Sequence, residues 1–131
     1  MHLFPDSNSK VNPILEMLGE AILFSSIQFS IGSVEMSSKF SVKNFSKDQH
    51  TLDNAANSLS DYLKIAILWS IGVIILLASK YKLIGCIVGI ISNLIVTLWI
   101  YLSYMSAFRE VVRKNPGLTM PKIYLITPHV S

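Results

Sequence analysis

Residues 65–108 read IAILWSIGVIILLASKYKLIGCIVGIISNLIVTLWIYLSYMSAF, and this run decides the fold. Its 44 residues carry two charges, Lys80 and Lys82. They divide it into uncharged runs of 15 residues (65–79) and 26 residues (83–108). A helix needs about 20 apolar residues to cross the roughly 30 Å hydrocarbon layer of a bilayer. The second run is long enough. The first reaches span length if Tyr62, Lys64 and Lys80 extend their polar ends to the two interfaces. The short turn Ser79-Lys80-Tyr81-Lys82 then forces an antiparallel transmembrane hairpin of about 62–79 and 83–108. The fold class expected is all-α integral membrane.

The totals agree. The chain has 131 residues, 51% of them hydrophobic and 15% charged, with a mean hydropathy of +0.50. That is one small membrane domain, with its apolar residues gathered in one block. The net charge of +3 comes from residues flanking that block and from no long cationic run, so nucleic acid is not an expected partner. A single cysteine, Cys86, excludes an intrachain disulfide and a cysteine-based metal cluster. Within an apolar helix it reads as a small buried residue. The N-terminus has neither a basic region followed by an apolar run nor the Arg-rich character of a transit peptide, so insertion is expected to rest on internal segments. No internal repeat is visible.

Working outward, residues 1–12 form a polar arm. Asn12-Pro13 suits a helix start, with Asn capping and Pro in the first turn. The helix of about 13–32 is mixed. Glu16, Gly19, Glu20, Ser26 and Ser30 share one side of the wheel; Ile14, Met17, Leu18, Ala21, Phe24 and Ile31 share the other; Leu23 and Gln28 break the pattern. It is either an interfacial amphipathic helix or a third span with its glutamates facing protein.

Residues 33–61 form a polar loop containing an amphipathic helix. From Val34 to Lys43, apolar and polar residues alternate, which suggests a short extended segment. Asn44-Phe45-Ser46 is a glycosylation sequon, relevant only if lumenal. Ser46-Lys47-Asp48-Gln49 fits a capping box. Leu52, Ala55, Ala56, Leu59 and Leu63 then recur at helical spacing opposite Asp53, Asn54, Asn57 and Asp61, so a helix from about residue 47 runs into the first span. The second span continues through Arg109, Glu110, Arg113 and Lys114 and stops near Asn115, because Pro116 and Gly117 follow. The remaining tail is extended, basic at first and then apolar through Ile123, Tyr124 and Leu125.

Lysine and arginine counts set the orientation. The segment 33–64 carries four, the C-terminal tail four and the tight turn two. The loop and tail are expected on the cytosolic or matrix side of the endoplasmic reticulum or the mitochondrial inner membrane, which leaves Asn44 unglycosylated.

Within the second span, Gly85, Gly89, Asn93, Thr97 and Tyr101 recur every four residues and form one stripe. Small residues at this spacing let helix backbones approach. An amide near mid-membrane needs a partner. The stripe is expected to face protein, either in a seam with another chain or in closing the hairpin on Ala66, Ser70 and Gly72. Glu16 and Glu20 lie one turn apart and read as a salt-bridged face or a docking point, the matching cation being Lys10 or a partner's arginine. The tyrosines near the helix ends read as interface anchors, and Trp69 and Trp99 as packing residues.

No catalytic, cofactor or metal site is expected. His50 and Asp53 supply two ligand types and no third, and there is no triad context, phosphate-binding glycine loop or H-E-x-x-H. The functional expectation is a non-catalytic accessory subunit of a larger membrane-protein complex, serving helix packing and assembly. Its partners are the lipid bilayer and larger subunits, contacted through Glu16, Glu20 and the apolar tail. The alternatives are a homo-oligomeric pore lined by Asn93 and Thr97, and a lipid-modifying enzyme that brings Asp61, Lys64, Arg109 and Glu110 together.

Overall fold

The structure is a computed structural model that describes residues 11–40 and 49–123. Two helices account for most of them: α1, Val11–Lys39, and α2, Gln49–Lys114. No strand occurs among the described residues. Both helices are long and apolar enough to cross a membrane.

α2 consists of two helical limbs, residues 49–81 and 83–114. They meet at Lys82, whose φ of 61° and ψ of −141° leave the helical region. Lys82, the last residue of the expected turn Ser79-Lys80-Tyr81-Lys82, is thus the one residue of α2 outside helical geometry. A positive φ is strained for any residue with a Cβ and costs about 1–3 kcal/mol. α2 ends where Pro116 and Gly117 require. The Asn115 amide closes the last turn on Val111 (3.1 Å), Leu118 turns back on Asn115 (3.2 Å), and Gly117 has a φ of 104°.

α1 runs to Lys39, past the expected end near residue 32. The extended segment expected from Val34 is helical through Lys39. Gly32 is buried and Glu35, Met36, Lys39 and Phe40 are half-buried, whereas Val34, Ser37 and Ser38 are exposed. That spacing is helical, and an alternation of a few residues did not distinguish the two. The sequon and the first residues of the capping box lie outside the described residues, as do Tyr124 and Leu125.

The described residues form two compact units: 11–29 with 66–97, and 30–40 and 49–65 with 98–123. The first has a core of Met17, Ala21, Val73, Leu77 and Tyr81, with Phe24, Trp69, Ile84 and Val88 against it. In the second, Leu52, Ala55, Ala56, Leu59 and Leu63 are buried, so the amphipathic face at the start of α2 is covered within the chain. Phe40, Tyr104 and Phe108 form a three-ring cluster, with centroids 5.2–5.9 Å apart. The tail leaves α2 pinned to its beginning: Gln49 accepts from the Thr119 amide (3.0 Å) and donates to the Thr119 carbonyl (3.1 Å).

Candidate functional site

Gln28 and Asn93, two amides inside the apolar helices, turn inward. In the first unit Gly85, Gly89 and Asn93 are buried and Thr97 is half-buried. Asn93 is 2% exposed. Its side-chain amide donates to the Gly89 carbonyl of its own helix at 2.7 Å. Its Oδ1 is buried and accepts nothing. Thr97 Oγ1 accepts from Gln28 Nε2 at 2.6 Å, linking α1 to the second limb of α2. Tyr101, half-buried, belongs to the second unit.

The glycines explain how close the limbs come. A Cβ on Gly85 would overlap the Leu77 carbonyl, and one on Gly89 would lie 3.2–3.3 Å from Ile74. The glycine end of the stripe thus packs on Ile74, Leu77 and Tyr81. Gly72 faces open space, and the Ser70 hydroxyl donates to the Ala66 carbonyl one turn back (2.6 Å). The four-residue spacing identified a face, while the turn at Lys82 set its register.

Glu20 finds its cation within the chain. Lys80 Nζ donates to Glu20 Oε1 at 2.6 Å, so neither Lys10 nor a partner's arginine is needed to match it. That hydrogen bond holds the Lys80 ammonium above its ordinary pKa of 10.5. Burial pushes the neighbouring Tyr81 phenol up to about 12, with the Glu20 carboxylate adding to the effect. Glu16 is exposed. Between these contacts and Gln28, the Trp69 indole donates to the Phe24 carbonyl (3.2 Å), and the two rings meet edge to face at 6.1 Å.

Gln28, 2% exposed, was the residue missed in reading the sequence. It interrupts the expected wheel, whose two sides do not separate buried from exposed residues: Leu18 and Ile31 on one side, and Glu16, Gly19, Ser26 and Ser30 on the other, are all exposed. The buried line of α1 is Met17, Ala21, Gln28 and Gly32. The available signal was the placement of an amide in line with small residues, the usual composition of a helix-packing face in a bilayer. Other expectations also shift. Trp99 is 63% exposed, whereas Tyr62, Tyr81 and Tyr104 are buried, so these tyrosines are packing residues.

In the second unit, Glu110 accepts from Arg113 (2.8 Å) and lies 3.2 Å from Lys114. These cations hold its carboxyl below the usual range. Asp61 and Glu35 both line an open cleft. The lipid-enzyme reading asked Asp61, Lys64, Arg109 and Glu110 to converge; of these, Glu110 pairs with Arg113 and Lys114. Among the described residues, no group of three or more His, Cys, Asp or Glu side chains is placed to hold a metal ion.

No family model, curated protein or solved structure matches this chain.

Proposed function

We propose that the chain is a three-span, non-catalytic subunit of a larger membrane-protein complex, contributing helix packing and assembly. Its spans are the antiparallel hairpin of about 62–79 and 83–108, with α1 crossing beside it. The observation that carries this reading is the Gln28–Thr97 hydrogen bond of 2.6 Å. A glutamine in an apolar helix is costly in hydrocarbon unless another helix satisfies it. Here α2 does so, while Leu15, Ile22, Leu23 and Ile27 on α1 point outward. A helix lying on the surface has no use for apolar side chains on its outer faces.

Three spans put the N-terminus and the turn at Lys82 on one side, and the loop and tail on the other. The side holding the loop and tail carries most of the lysines and arginines. It is the cytosolic or matrix side in this reading, in the endoplasmic reticulum or the mitochondrial inner membrane.

The assembly role rests on what the fold leaves over. The stripe, Glu20 and the amphipathic face of α2 are used inside the chain. Glu16 remains exposed, and the apolar tail continues beyond Thr119 through Ile123, Tyr124 and Leu125. These are the surfaces offered to larger subunits. A pore lined by Asn93 and Thr97 draws no support from a row that is buried against the chain's own helices.

Purification in gentle detergent, followed by a native gel and mass spectrometry of the band, tests the proposal. Migration at fixed ratio with much larger proteins is expected. A 14.6 kDa chain that runs alone or as a ring of itself contradicts it.

A further inference from the structure

In the second unit, α1 and the first limb of α2 enclose an open cleft of about 400 Å³. One wall is Ile31, Glu35 and Lys39, at four-residue spacing on α1. The other carries Asn57, Asp61 and Ile65, again four apart. The Ser58 hydroxyl donates to Glu35 Oε1 at 2.7 Å and fixes the register of the walls. With the helices antiparallel there, polarity is ordered along the cleft. Ile31 and Ile65, both about half exposed, lie at one end. The carboxylates of Glu35 and Asp61 come next, followed by the amides and Lys39. Lys39 stands 4.0 Å from Glu35, so one carboxylate charge is left over, and Asp61 is exposed to receive a cation.

We infer that this cleft binds a long-chain amine, with its ammonium between Glu35 and Asp61 and its chain along Ile31 and Ile65. The order of groups selects the ligand. Negative charge adjoins the apolar end, so the cationic group must adjoin the hydrocarbon chain. A phospholipid places its anionic phosphate nearer the chain and its amine farther out, the reverse of what the cleft offers. A fatty acid would bring a carboxylate against two others. The inference rests on the membrane reading above, because the chain leaves the cleft along side chains that face lipid in that reading.

The test is binding of stearylamine to the purified full-length protein in nonionic detergent. Stearyl alcohol and stearic acid carry the same chain with other heads, and butylamine carries the head with little chain. Stearylamine is expected to bind at least about fivefold more tightly than the others, the scale of a solvent-facing charge pair. Asp61→Asn should weaken it about fivefold. Lys39→Gln, which removes the competing cation, should tighten it, an outcome that damaged folding does not produce. Equal binding of the amine, alcohol and acid, or amine binding unchanged in both variants, overturns the assignment. Alkaline carbonate extraction of the wild-type chain separates the two readings. Retention in the membrane without amine selectivity defeats the cleft alone, whereas release into the wash defeats the membrane reading.

Discussion

Gln28 Nε2 lies 2.6 Å from Thr97 Oγ1, a hydrogen bond between the side chains of two largely apolar helices. Thr97→Val keeps the shape and removes the acceptor, and Gln28→Leu removes the donor. Each is expected to lower stability in detergent by about 1 kcal/mol, with a double-mutant coupling of roughly 0.6–1.7 kcal/mol. Steric-trapping measurements on the two single variants and the double variant give the coupling. A coupling of zero means the contact does not hold the helices.

Among the glycines, Gly85 has the closest neighbour. Its missing Cβ makes room for the Leu77 carbonyl, which is backbone and cannot step aside. Gly85→Ala should destabilise by about 2–3 kcal/mol, the upper part of the overpacking range. Gly72, with open space around it, supplies the control: Gly72→Ala should be neutral or slightly stabilising, since Ala is the better helix former. Unfolding of the two variants side by side checks the difference.

Lys82 carries the turn at a φ of 61°, in a region that glycine enters without a Cβ penalty. Lys82→Gly is therefore expected to stabilise the chain by about 1 kcal/mol, despite the extra freedom glycine gives the unfolded state. A loss of stability of similar size would show that the strain is absent.

The Glu20–Lys80 contact predicts an alkaline limit. The folded-state pKa of Lys80 lies above its ordinary value of 10.5. The stabilisation is fully present below that value and disappears as pH rises through the raised one. Tyr81, pushed up to about 12 by burial, titrates with the same sign. Glu20→Gln should flatten the decline in stability above pH 10.5, read as melting temperature against pH. A decline of unchanged steepness would mean that Lys80 does not sense Glu20.

Much of the architecture was legible because the bilayer requirement is coarse. An uncharged run of 26 residues announces a helix whatever its neighbours do. The end of α2 was equally plain, since Asn115-Pro116-Gly117 stops a helix locally. The covered face of Leu52, Ala55, Ala56, Leu59 and Leu63 followed from periodicity against a polar background. The inward face of α1 was not legible in the same way. In water the apolar side of a helix turns inward. When lipid is the surroundings, apolar side chains lose nothing by facing out, and small or polar ones gain most by facing protein. Sorting α1 into an apolar and a polar side grouped Leu18 with Met17 and left Gln28 unexplained. The Gly85 stripe was found as a face, but its partners depended on the turn at Lys82, a register that spacing does not encode. The pairing of Glu20 with Lys80 spans 60 positions and has no local signature.

Sidedness of the two termini tests the central claim of three membrane-spanning helices most directly. The full chain carries a different protease-sensitive tag at each end and is inserted into sealed microsomes. Three spans predict that protease added outside removes one tag and spares the other until detergent opens the membrane. If both tags are cut without detergent, α1 lies on the surface, and the Gln28–Thr97 contact is not the lock between spans described here.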